Sequence, residues 1–165
     1  AVVMSMELHG AGTQEYGCVA LGHLARENPA NQAAITEAGG LKRIITAMSE
    51  HQAVGVQQQG CWALSQLLSN HLANQMSMVE CSGFSTVLAA MVALPSCAPL
   101  QECGCSVVAE LLGTTAEAKE AIVKEDGGTV VLEAVRNHIG DLAVQQTGAR
   151  AIARYLDQAE RFSVE

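Results

Sequence analysis

Eight side chains recur in two columns along the chain, and their types suit binding better than bond-making. Val19, Trp62, Ser106 and Arg150 form one column; His23, Gln66, Glu110 and Arg154 form the other, each four residues after its partner. Residues four apart on a helix lie on one face. Trp62 offers a flat apolar wall that also holds a cation. Gln66 carries a donor and an acceptor in one side chain and can pair with the backbone of an extended ligand. Asn70, one turn further on, extends the same face. Glu110 would meet a basic side chain, and Arg150 and Arg154 an acidic one. Trp62 belongs to such a surface rather than to a core, because the other members of its column are Val, Ser and Arg, which one buried column would not accept together.

Catalytic or metal chemistry needs converging groups, and no such set stands out. Of the five histidines, His9, His51 and His138 are expected in equivalent loops, and no His pair has metal spacing with a third ligand near it. Cys97, Cys103 and Cys105 lack a fourth ligand at ribbon or finger spacing. A nucleophilic cysteine would need a base to which the sequence does not point. No phosphate-binding glycine loop occurs; Gly39-Gly40 and Gly127-Gly128 punctuate helices. The expectation is a protein that is not an enzyme and has no metal or cofactor.

The elements that position the columns repeat. Glycines at 17, 60, 104 and 148 are separated by 43, 44 and 44 residues, a period that marks a stacked repeat architecture. Counting from each glycine, apolar residues fall at +3, +4, +7 and +8, as in Ala63, Leu64, Leu67 and Leu68. That is a broad stripe at 3.6 residues per turn. A glycine inside a helix costs about 1 kcal/mol against alanine, so its recurrence predicts a neighbouring helix too close to leave room for a β-carbon. Between these helices comes a second pattern: Asn31-Gln32 through Gly39-Gly40, then Asn74-Gln75 through Gly83, then a third copy ending in Gly127-Gly128. Each reads as a short helix, a glycine that ends it, and a longer amphipathic helix. The expected helices are 12–27, 29–38, 40–50, 54–70, 72–81, 83–93, 98–113, 115–126, 128–137 and 141–156. Residues 157–165 are expected to be a partial further helix or a frayed tail. Met4 and Met91 each lie 13 residues before a repeat glycine. The chain is therefore expected to open within a repeat, as a piece of a longer array.

Asn-Gln ahead of the Ala-Gly-Gly turn, and Val-Gln-x-x-Gly-Cys-Trp-Ala-Leu opening the third helix, resemble the armadillo repeat family over nearly all 165 residues. HEAT repeats, the nearest rival, use two helices per unit and usually a proline in the first. The resemblance implies one all-α domain, residues 1–165, of about three and a half three-helix repeats wound into a right-handed α-solenoid. It also implies a concave groove, lined by the long third helices, that takes an extended peptide. In the importin-α type, Trp and Asn stand at the two groove positions. Trp62 matches the first, Gln66 is nearest to the second, and His23, Glu110 and Arg154 depart from the pattern.

Composition bounds the rest. Hydrophobic residues make up 49% and aromatics 3%, so the core must be built from small and aliphatic side chains. The net charge of −8 repels phosphate backbones and argues against nucleic acid as partner. No apolar run reaches the roughly 18 residues of a membrane span, so no membrane insertion is expected. Cys18, Cys61 and Cys105 each follow a repeat glycine, forming a column rather than pairs. That suits a reducing compartment, the cytoplasm or alternatively the nucleus. The expected function is a non-catalytic scaffold binding a protein or extended peptide of mixed charge. The alternative is an assembly segment whose uncapped ends stack on further repeats or self-associate.

Overall fold

The structure, a computed structural model, describes residues 1–6 and 10–162, with side chains as far as Asp157. The described residues form eleven helices: α1 Val2–Ser5, α2 Ala11–Ala25, α3 Pro29–Glu37, α4 Gly40–Glu50, α5 Val54–Leu68, α6 Leu72–Glu80, α7 Gly83–Ala93, α8 Ala98–Leu112, α9 Ala116–Lys124, α10 Gly127–Asn137 and α11 Leu142–Phe162. Short helices α3, α6 and α9 have nine residues, medium helices α4, α7 and α10 eleven, and long helices α2, α5 and α8 fifteen. The architecture is an all-α right-handed solenoid. Long helices stack α2–α5–α8–α11 along one face, and medium helices α4–α7–α10 stack behind them.

Local chemistry sets the boundaries. Each short helix opens on a side chain that accepts from the third backbone amide: Asn28 from Asn31 at 3.0 Å, His71 from Asn74 at 3.3 Å, Thr115 from Ala118 at 3.2 Å. These bonds satisfy amides that have no partner within the helix. Each short helix ends on a left-handed residue, Gly39, Ser82 or Asp126, with φ of 81°, 52° and 59°. The glycine expected to end the helix therefore does so only in the first copy. The glycine that recurs in every copy, Gly40, Gly83 or Gly127, opens the medium helix instead. A β-carbon on Gly40 or Gly127 would fall 2.5 or 2.6 Å from Cγ2 of Ile35 or Ile122. The first two long helices stop two residues earlier than expected, because Glu27 and Asn70 turn left-handed at φ of 52° and 54°. The last helix instead runs on through 157–162; residues beyond 162 lie outside the described ones.

The glycine column has the expected cause. A β-carbon on Gly60 would fall 2.5 Å from Cγ of Met48, and one on Gly104 2.7 Å from Cγ of Met91. Met6 stands in the same way against Gly17, and Val135 against Gly148. Each comes from the medium helix, or its equivalent, just before the long one. Met6, and not Met4, is thus the counterpart of Met91. Met6 is fully buried while Met4 is 70% exposed. Contact with the glycine defines the register, and the connection before it varies in length, which a fixed count of 13 residues misses.

The core lies between the two layers. Ala63, Leu64, Leu67, Leu68, Val107, Leu111 and the thiols of Cys18, Cys61 and Cys105 are all fully buried there. A second column threads it: Gln14, Gln57, Gln101 and Gln145, three residues before each glycine. Gln57 Nε2 donates to the carbonyls of Met48 (2.5 Å) and His51 (2.8 Å), Gln101 to Met91 (2.8 Å) and Leu94 (3.0 Å), and Gln145 to Val135 (2.8 Å) and His138 (2.9 Å). Gln14 donates to Met6 at 2.6 Å. Each amide ties the end of the preceding medium helix, whose last carbonyls lack helical partners, to the long helix.

Candidate functional site

The long-helix face carries an open depression of about 370 Å³ centred on α5 and α8. Four of the eight expected groove residues line it: His23, Trp62, Gln66 and Ser106. Gln58, Gln59, Glu102, Cys103, Pro99, Ser65 and Thr147 complete the lining. The additions follow from helix geometry. Gln58 and Glu102 lie four residues before Trp62 and Ser106, one turn further along the same face. The two-column reading stopped one turn short of them.

Trp62 is half-buried and reaches back onto the preceding repeat. A β-carbon on Gly22 would fall 2.6 Å from its Cε3, so the glycine there leaves room for the indole against α2. The His23 ring meets Trp62 edge-on, with centroids 4.8 Å apart and planes at 65°. This pairing suits the ring quadrupole and fixes the indole as a rigid wall. Gln66 is half-buried, and its Nε2 approaches only Ser65 Oγ, at 3.3 Å; its backbone carbonyl accepts from Gln32 Nε2 at 2.7 Å. Asn70 lies past the end of α5, exposed, with its amide 3.5 Å from Ser69 Oγ; it is not brought into the depression.

The third level is arranged differently. Glu110 is only 8% exposed. Its Oε2 accepts from Gln75 Nε2 at 3.1 Å, and Arg150 Nη1 lies 3.7 Å from its Oε1. Arg150 Nη2 also donates to Ser106 Oγ at 2.9 Å. Arg154 Nη1 donates to the carbonyl of Ala109 near the end of α8. Glu110 is therefore not an open acidic contact as the sequence suggested: two side chains of the protein already hold it. The carboxylate that faces the depression is that of Glu102, half-buried.

The thiols lie in surroundings that disfavour thiolate. Burial pushes Cys103 up to about 12, helped by the charge of Glu102, and Cys18 and Cys105 likewise to about 12. Burial raises Cys61 further still, with its neighbouring thiols adding to the effect. Among the described residues, no three His, Cys, Asp or Glu side chains are grouped to hold a metal ion. No single helix among them is long and apolar enough to cross a membrane. His51 and His138 end medium helices, as expected; His9 lies outside the described residues.

No family model matches the chain, and no curated protein sequence does. Solved structures do. A crystal structure of an engineered protein, Northeast Structural Genomics Consortium target OR329, superposes with a TM-score of 0.81 at 21% identity, over 93% of this chain and 60% of that one. The designed armadillo repeat protein YIII(Dq)4CqI gives 0.80 at 12% identity, over 93% and 63%. Another designed armadillo repeat protein, YIII(Dq.V1)4CPAF, in complex with the peptide (KR)4, gives 0.76 at 14% identity, over 93% and 62%. The chain thus spans about 60% of the length of these proteins. At such identities the likeness is one of fold, and that fold is the armadillo-like solenoid.

Proposed function

We propose that the protein is a non-catalytic scaffold that binds an extended peptide segment along its long-helix face. The observation that carries this reading is the depression at His23, Trp62, Gln66 and Glu102. It combines a braced aromatic wall, amide side chains for a ligand backbone and a carboxylate for a ligand cation. A designed protein of the same fold is known in complex with the peptide (KR)4, which supports peptide as the ligand class. The ligand we infer has mixed charge: a basic residue beside Trp62 and Glu102, neutral residues over Gln58 and Gln66, and an acidic residue toward Arg150. The raised thiols, stable as free cysteines, fit a reducing compartment, and we infer the cytoplasm.

Trp62 is the single tryptophan, so its fluorescence reports occupancy directly. Extended octapeptides of basic, acidic and mixed charge are titrated against the protein. Trp62→Ala and Gln66→Ala, followed by anisotropy of labelled peptide, should each weaken binding of the best ligand by about 1–3 kcal/mol, the usual range for interface anchors. Wild-type affinity in both folded variants would mean that the groove is not the site.

One observation favours a second reading, self-association. Val3 packs toward Gly40, Ile45 on Gly83 and Leu88 toward Gly127. Leu132 is the next member of that column and is 42% exposed. It borders an apolar depression of about 300 Å³ with Leu112, Ile152, Tyr155 and Leu156. The opposite end carries Met4 and Leu24, 70% and 48% exposed, beside another apolar depression. Head-to-tail contact between two copies would bury both faces. Sedimentation across a hundredfold concentration range, with Leu132→Glu as control, tests this; a monomer throughout removes the reading.

A further inference from the structure

Arg150 belongs by register to the same column as Trp62 and, like it, reaches back onto the preceding long helix. Trp62 leaves the groove beside it open, whereas Arg150 extends from α11 back over α8 and occupies the two groove positions there. Its guanidinium donates to Ser106 Oγ at 2.9 Å and lies 3.7 Å from Glu110 Oε1. Ser106 and Glu110 are the third-level counterparts of Trp62 and Gln66. The Glu110 carboxylate is nearly enclosed and is oriented from behind by Gln75 Nε2. A planar cation with several donors is what such a carboxylate and hydroxyl hold best. The side chain of Arg150 is 44% exposed, so it can leave without unpacking the core.

We propose that Arg150 is a built-in occupant of the third groove level, seated where a ligand cation would otherwise bind, and that it confines the ligand to the segment facing His23, Trp62, Gln66 and Glu102. The proposal rests on the peptide-groove reading above. Its guanidinium seat, however, can be tested without any peptide. A ligand carrying one basic residue suits the groove as it stands. A run of basic residues meets the positive charge of Arg150 instead of the negative charge of Glu110.

The first test is chemical rescue. Arg150→Ala leaves an enclosed carboxylate and should lower the melting temperature by a few degrees. Methylguanidinium at low millimolar concentration should restore at least half of that loss, while sodium chloride at equal ionic strength should not. The Arg150→Ala/Glu110→Gln double variant should show no rescue. Equal rescue by sodium chloride, or rescue that survives Glu110→Gln, would overturn the seat. The second test is titration with the octapeptide (KR)4. Arg150→Ala should bind it at least threefold more tightly than wild type and with a steeper salt dependence. Unchanged or weaker binding by a variant that methylguanidinium rescues would overturn the role of Arg150 in limiting the ligand. If the octapeptide binds neither protein, the groove reading and this limiting role fall together, while the rescue result still decides whether the seat exists.

Discussion

Replacing Gln101 with methionine should destabilise the protein although the two side chains have similar shape. Gln101 is 2% exposed, and its one amide nitrogen serves two carbonyls, those of Met91 at 2.8 Å and Leu94 at 3.0 Å. Methionine keeps the length and apolar contact of the side chain but has no donor. Leaving a buried acceptor without a partner costs about 1–3 kcal/mol. The Met91 carbonyl bears that in full; the Leu94 carbonyl keeps its bond from the Cys97 amide at 3.1 Å. The expected loss is about 2–3 kcal/mol, since the better burial of methionine offsets only a fraction. At about 2–4 °C per kcal/mol for a chain of this size, the melting temperature falls by about 4–12 °C. Gln145 makes the same pair of bonds at 2.8 and 2.9 Å but is only half-buried, so Gln145→Met should cost about 1 kcal/mol by the same argument. Urea titration followed by circular dichroism gives the order. Amide exchange locates the damage: the Leu94 amide, bonded to the Ala90 carbonyl at 3.0 Å, should lose protection first. Equal stability of the two variants, or a Gln101→Met protein as stable as wild type, would refute the idea that these glutamines hold the helix ends.

Gly104→Leu should destabilise by about 1–3 kcal/mol through overpacking, because its β-carbon would lie 2.7 Å from Met91 Cγ. Adding Met91→Ala should return part of that loss, and strict additivity in the double-variant melts would count against a shared contact. Stability should also depend on pH through the thiols. Cys18, Cys103 and Cys105 are raised from the ordinary 9.0 to about 12 by burial. The unfolded chain therefore releases these protons first. Stability should be level below about pH 8.5 and should fall as pH rises from about 9 toward 12. Urea midpoints across that range check the sign; a midpoint that climbs with pH would contradict the burial of the thiols. Cysteine-to-serine variants should flatten the curve.

The period, the helix types and their order were legible in the chain because each repeat must satisfy the same neighbours. The apolar stripe and the glycine where a medium helix crosses recur for local or nearest-neighbour reasons, and a single sequence displays them. So does the pairing of Trp62 with Gln66, since four residues on a helix make one face whatever surrounds it. Distances across repeats decided the rest. Nothing local distinguishes Met6 from Met4; only contact with Gly17 selects it. Gln57 and Gln101 read as polar residues opening a helix, and only the three-dimensional packing brings them to carbonyls at the end of another helix. Glu110 and Arg150 looked like two free charges of opposite sign. They lie 40 residues apart in sequence, and stacking α11 on α8 makes them partners. A free carboxylate and one held by an arginine are identical letters in a sequence. The tertiary structure separates them because Coulomb attraction and hydrogen bonding act over a few ångströms of space, not over positions in the chain.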